Sequence, residues 1–187
     1  GSEVTAFSVS GTGTSGLQKV HFKNIKMPSG LTQYGLFTNN RANTEIEVEN
    51  VTYVGRQLGY FPSAGTIILN NSDITVNASN SEELLQGSYH TYFVGKNTLK
   101  KNAGGYAMLV GTQGVTIGAR PDGTLVPGSE VNASATVGYG FTSTNAPLTI
   151  KEGASFVFSG PRVWHTAPTS IVVEDDATYQ ATITGNE

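Results

Sequence analysis

Two short stretches of this 187-residue chain set an aromatic ring among hydrogen-bonding side chains. One is Arg56-Gln57-Leu58-Gly59-Tyr60-Phe61. The other is Arg162-Val163-Trp164-His165, which holds the only tryptophan. Such a mixture suits a sugar, because the ring covers its apolar face while amide and guanidinium groups take its hydroxyls. Arg56, Gln57, Tyr60, Arg162, Trp164 and His165 are therefore the candidate ligand-binding residues. A plain packing role competes at both places. Trp164 could cover the end of an apolar column, and Tyr60 and Phe61 could fill the space under a long loop.

Chemistry that cuts a polymer is poorly supplied. Calcium-assisted elimination from a uronate polymer needs converging carboxylates around the ion and a base beside the acidic proton. The aspartates number four, at 73, 122, 175 and 176. Glu45, Glu47 and Glu49 fall on one face of one strand, where they read as a solvated stripe. Asp175 and Asp176 read as turn residues, and Lys96, Lys100 and Lys101 as a solvated charge run. His21, His90 and His165 lack metal-ligand spacing. No Gly-x-Ser-x-Gly elbow is present, and Ser10-Gly11-Thr12-Gly13-Thr14 lacks the lysine and helix of a phosphate loop. No catalytic residue, metal or cofactor is expected, so the chain reads as a non-enzyme.

Composition narrows the partners. Only 13% of residues are charged, about half the usual share, and there are 23 glycines. Apolar residues reach 37% and recur at period two, which excludes disorder. Cysteine is absent, so disulfides, thiol nucleophiles and Cys-ligated zinc are excluded. That absence points to an exported protein of an organism that does not rely on disulfides. With a net charge of −3, a pI near 5.6 and scattered Lys and Arg, a nucleic-acid partner is not expected. No apolar run approaches the roughly eighteen residues of a membrane span, so membrane insertion is not expected either. Gly1-Ser2 reads as a cloning remnant and residues 3–187 as a single domain.

The elements that would position these residues come from a repeated phrase of two alternating strands around a polar turn. Its anchors lie at Phe22, Val48, Leu69, Val94, Ile117, Ile150 and Val173, spaced by 21 to 33 residues. A period of this size marks coils stacked on one another, each too small to bury its inward face alone. Asn24, Asn50, Asn71 and Asn97 suit the sharp bends, because asparagine tolerates a left-handed backbone, and could stack as a ladder. The expected fold is all-β, a right-handed parallel β-helix of about seven coils. An antiparallel β-sandwich is the competing architecture. It calls for tight hairpin loops, and the one Asp-Gly, at 122–123, sits in a polar loop with Pro121 and Pro127. Long loops are expected at residues 95–106 and 119–128, a first strand within 3–10, and one helical turn at 81–85.

Residues 17–80 carry the most specific stretches: Val20-His21-Phe22-Lys23-Asn24-Ile25, Tyr34-Gly35-Leu36-Phe37, and residues 46–58 with Asn50-Val51-Thr52-Tyr53-Val54-Gly55 before Gln57-Leu58. With Thr66-Ile67-Ile68-Leu69-Asn70 following, this region resembles the pectate-lyase-like adhesive domain of Gram-positive cell-surface adhesins. The resemblance implies a right-handed β-helix, adhesion rather than catalysis, and an extracellular place on the bacterial cell wall. The expected function is a non-catalytic adhesion module that contacts a glycan or a host surface protein, with weak self-association as a further expectation. The alternatives are a polysaccharide lyase on the same fold and a structural spacer or self-association module.

Overall fold

Strict alternation is what makes these segments strands. In Thr44–Glu49, Thr44, Ile46 and Val48 are buried while Glu45, Glu47 and Glu49 stand outward, the period of a half-buried strand. The computed structural model describes residues 6–11, 15–27, 35–77, 83–103, 107–137, 139–143 and 146–185. In chain order its strands are β1 Phe7–Val9, β2 Gln18–Lys23, β3 Phe37–Asn39, β4 Thr44–Glu49, β5 Thr52–Gly55, β6 Gly59–Asn70, β7 Asp73–Val76, β8 Leu85–Val94 and β9 Lys96–Lys101. They continue as β10 Leu109–Ile117, β11 Glu130–Ala135, β12 Tyr139–Ser143, β13 Leu148–Ile150, β14 Ser155–Gly160, β15 Arg162–Trp164, β16 Ile171–Val173 and β17 Thr178–Ile183.

The strands pair in parallel and wind as a right-handed β-solenoid of about six turns. Among the described residues the antiparallel pairing is one isolated bridge, Ala119 to Leu125, so a sandwich is excluded. Three faces surround the axis. The first holds β1, β3, the leading parts of β6, β8 and β10, then β12 and β15. The second holds β2, β4, the trailing parts of β6, β8 and β10, then β13 and β16. The third runs β5, β7, β9, β11, β14, β17. Because β6, β8 and β10 bend through the corner between the first two faces, those faces form one continuous sheet.

Register on the second face aligns Phe22, Val48, Leu69, Phe93, Ile117, Ile150 and Val173. Seven rungs bound about six turns, which is how the seven phrases map onto the fold. The fourth anchor is Phe93, one residue before the expected Val94. Gly95 (φ 66°) takes the left-handed bend there, as Asn24, Asn50 and Asn71 (φ 58°, 51° and 50°) do in the earlier rungs. Asn97 is therefore not a member of the bend row. It is buried, its Oδ1 accepting from the Ser72 amide at 3.1 Å and its Nδ2 donating to the Val94 carbonyl at 3.0 Å. One rung of the expected ladder is present, Asn50 Nδ2 donating to Asn24 Oδ1 at 2.7 Å.

The axis is filled by aromatic rings stacked from coil to coil. Phe7, Phe22, Phe37, Phe61 and Tyr89 follow one another with centroids 5.1, 5.8, 5.3 and 5.1 Å apart. Phe141 then contacts Phe156 at 5.2 Å and Trp164 at 5.6 Å, and Phe156 contacts Tyr179 at 5.4 Å. Rings in such offset or tilted contacts add to the burial of their area. One group works against the column. Thr91 is fully buried, and its hydroxyl meets no hydrogen-bond partner among the described residues. Thr91→Val is expected to raise the unfolding free energy by about 1 kcal/mol, because it removes an unsatisfied hydroxyl at nearly constant volume. Urea denaturation at constant m-value reads the gain.

Three local expectations change, and a fourth, the first strand within 3–10, is met. Of residues 95–106, 96–101 form strand β9 rather than loop, because Thr98 and Leu99 continue the third-face register. Lys101 is buried, not solvated, and its Nζ donates to the Ala103 carbonyl at 2.7 Å. Of the helical turn at 81–85, Ser81 and Glu82 lie outside the described residues, while Leu84 leads into β8, which begins at Leu85. The first strand spans Phe7–Val9, and residues 3–5 lie outside the described residues.

Candidate functional site: the outward side of the second face

Parallel register lines up outward side chains as strictly as inward ones. Across the second face His21, Glu47, Ile68, Tyr92, Thr116 and Thr149 share one row, about 4.8 Å from strand to strand, although Ile68, outward by parity, is only 1% exposed. Lys19, Glu45, Thr66 and His90 share the next. The centre of this surface is aromatic: the His90 and Tyr92 rings stack with centroids 4.5 Å apart. His90 Nε2 lies 3.1 Å from Thr116 Oγ1, which fixes the ring. Burial holds the His90 imidazole below the usual histidine range, so it is neutral near pH 7. Burial and the nearby Glu45 carboxylate raise the Tyr92 hydroxyl above the usual tyrosine range, so it stays a donor.

Charged groups border this ring pair, and each carboxylate of the stripe has a cation. Lys19 Nζ lies 3.0 Å from Glu45 Oε1. Glu49 takes Lys23 Nζ at 2.8 Å and His21 Nε2 at 2.7 Å. Glu47 is gripped by Arg120, whose Nη1 and Nη2 donate to Oε2 and Oε1 at 3.3 and 3.0 Å, while Asn70 Nδ2 donates to Oε1 at 2.9 Å. Arg120 comes from the 119–128 loop. That loop folds on itself through the Arg120 amide bonded to the Thr124 carbonyl and reaches back over β8 and β6 to β4. The His21, Glu47 and Glu49 ligand atoms lie within 4.8 Å of one another, the nearest approach to a metal trio among the described residues. The carboxylate oxygens already face Lys23 and Arg120, so a cation there would meet fixed positive charge.

These pairs predict a pH dependence. Burial pushes the Glu47 carboxyl up, but the hydrogen bonds from Arg120 and Asn70 outweigh it and hold it below the usual range. A depressed carboxylate contributes stability above its unfolded value and loses it as pH falls through the folded one. Glu47→Gln is therefore expected to lower stability by about 1 kcal/mol at pH 7, the scale of a partly exposed pair. The gap to the wild type should close between about pH 5 and pH 3. Thermal melts of both proteins across that range read it.

The residues singled out from sequence lie elsewhere, at two separate places. Tyr60, 39% exposed, stands outward on the first face, at the start of β6 and not in a loop. Arg56 is half-buried. Gln57 is buried, and its Nε2 points inward to Glu83 Oε2 at 3.4 Å. The Gln57 carbonyl accepts from Tyr53 Oη at 2.7 Å, which ties this turn to the core. Arg162, Trp164 and His165 lie four strands away on β15 and just after it. Arg162 and Trp164, with Pro161, Val163, Ile183 and Gly185, line an open groove of about 440 Å³. Trp164 packs on Phe141 and its Nε1 donates to Tyr179 Oη at 3.0 Å, so its ring closes the end of the column.

Sequence reading missed His90, Tyr92, Asn70, Thr116 and Arg120 as a group. A signal existed for two of them. In Tyr89-His90-Thr91-Tyr92-Phe93, buried Tyr89, Thr91 and Phe93 alternate with His90 and Tyr92, which parity sends outward. Arg120 had no such signal, since 73 residues separate it from Glu47. Compared with family models, with curated proteins and with solved structures, the chain finds no match in any of the three, so the geometry of this face stands on its own.

Proposed function

We propose that this chain is a non-catalytic adhesion module of a bacterial cell-surface protein, and that it holds an extended, uncharged glycan across the second face. The observation that carries the reading is the stacked His90–Tyr92 pair set among Glu45, Glu47, Asn70, Thr116 and Arg120 on a regular sheet surface. An aromatic platform covers the apolar side of a sugar, and the carboxylate, amide and guanidinium groups supply hydroxyl partners. Charges on the face nearly balance, three carboxylates against Lys19, Lys23 and Arg120, which favours a neutral polymer over a polyanion. The carboxylates argue for binding over cleavage. Glu47 and Glu49 are both held below the usual range by cationic partners, whereas a general acid or base works best with a pKa near the operating pH.

Calorimetric titration with neutral polysaccharides and with polygalacturonate tests this directly. The wild type should bind a neutral polymer, and Tyr92→Ala should weaken that binding about tenfold, the worth of one good aromatic contact. Incubation with polygalacturonate and calcium should yield no unsaturated product by absorbance. Turnover there, or preference for the polyanion with Tyr92→Ala unaffected, would replace the adhesive reading with the lyase.

A further inference from the structure

Ile68 is buried on the solvent side of its sheet. It stands between Glu47 and Tyr92 in the outward row, while its strand neighbours Ile67 and Leu69 point to the axis. It is almost fully buried, yet it lies outside the apolar cluster that fills the column, so its cover comes from without. The 119–128 loop is placed to supply that cover. Its root at the end of β10 is three strand spacings, about 14 Å, from β4. It has to cross β8 and β6 for Arg120 to reach Glu47. The loop keeps its own shape. The Gly123 N–H donates to the Arg120 carbonyl and the Thr124 N–H to Asp122 Oδ1, both at 2.9 Å, and the Val126 N–H to the Gly118 carbonyl at 2.8 Å. Residues 121–125 are exposed. Among the described residues, the hydrogen bonds from 119–125 to the strands of the second face are the two from Arg120 to Glu47. One clasp thus holds a preformed loop over an apolar side chain. Gly118 and Gly128 flank the loop at φ 92° and 73°, positions suited to absorb a hinge rotation.

We propose that this loop is a strap over a hidden sugar subsite. When Arg120 releases Glu47, Ile68 joins the His90 and Tyr92 rings as one apolar floor, and a second ring of the neutral glycan lies on it. The proposal rests on the glycan reading of the second face and states where the polymer runs beyond the ring pair. The floor is continuous, because Ile68 is the register partner of Tyr92. Clasp and sugar compete for the same atoms. In the closed strap both Glu47 oxygens accept from Arg120, and Nη1 and Nη2 are spent on them. In the open strap both oxygens are free for a pair of adjacent sugar hydroxyls, with Asn70 Nδ2 already 2.9 Å from Oε1 beside them. The clasp suits such an exchange, since both of its side chains are partly exposed and pairs of that kind hold only modestly. A polyanion gains less from the opening, because the freed Glu47 carboxylate repels it. Closure also sets the apparent affinity, which falls by the fraction of molecules whose strap is open.

The chain has no cysteine, so a single introduced thiol reports on the cover. Ile68→Cys is expected to react with a maleimide at least about tenfold more slowly than Thr52→Cys, an exposed outward position on the third face. Arg120→Ala should raise the rate at position 68 about tenfold and leave the rate at position 52 unchanged. Glu47→Gln, which keeps the shape of the clasp without its charge, should raise it by less. Fast reaction at position 68 with Arg120 in place, or a rate that Arg120→Ala leaves unchanged, overturns the strap. Circular dichroism verifies each fold, and Glu47→Gln carries the comparison if Arg120→Ala disturbs the loop. Surface plasmon resonance with immobilised β-glucan and mannan, both neutral, reads the subsite separately. Arg120→Ala should associate about tenfold faster, because no clasp has to open first. An unchanged association rate, with Tyr92→Ala still weakening binding, overturns the subsite and keeps the glycan reading. No binding by any variant, with the thiol contrast intact, overturns the glycan reading and its subsite and keeps the strap.

Discussion

Phe61→Ala is expected to lower the unfolding free energy by about 3–5 kcal/mol, the cost of emptying a fully buried phenylalanine site. Phe61 is fully buried at the middle of the first aromatic run, between Phe37 at 5.3 Å and Tyr89 at 5.1 Å. Its loss leaves a void that neighbours cannot fill, because both are themselves held by strand pairing within the same sheet. In a solenoid each coil rests on its neighbours, so a hole between coils weakens an interface on either side. Urea denaturation followed by circular dichroism measures the change. A loss of unfolding free energy below about 1 kcal/mol would show that the stacked rings contribute little beyond their bulk.

The second large effect is expected at a bend. Gly95→Val should cost about 1–3 kcal/mol through backbone strain alone, since a β-branched residue is poorly tolerated at φ 66°. Crowding adds to this, because a side chain at Gly95 would run into the Asn71 amide, whose Oδ1 accepts from the Lys96 N–H at 2.8 Å. Gly95→Asn meets the same Asn71 amide but should cost less than Gly95→Val, because asparagine holds the matching left-handed bends at 24, 50 and 71 without backbone strain. The contrast between the two variants is the diagnostic. Equal losses would mean that crowding, rather than backbone conformation, governs this position.

Local pattern carried most of the fold. Alternation in segments such as Thr44–Glu49 fixes which side chains face the axis, whatever they pair with. Asn24, Asn50 and Asn71 mark the bends because few residues accept that backbone. The slip at Val94 arose where glycine replaced asparagine, so the bend lost its polar marker. Asn97 misled for the same reason: it lies near a bend, but its amide serves Ser72 and Val94 inside.

The candidate site was much less visible, and the pairs that compose it show why. Glu47 and Arg120 are 73 residues apart, and His90 and Thr116 are 26 apart. Their meeting depends on rung register and on the path of the 119–128 loop, which no local period encodes. Burial is likewise a tertiary matter. Gln57 and Lys101 are polar residues of the kind usually found in solvent, yet packing between coils places both inside, with Glu83 and the Ala103 carbonyl as partners. The sequence by itself determined a stack of short parallel strands about an apolar axis, because side-chain parity and bend residues are local properties. Only the tertiary structure decided which outward groups become neighbours and which polar groups are buried, because those follow from how the coils are set against one another.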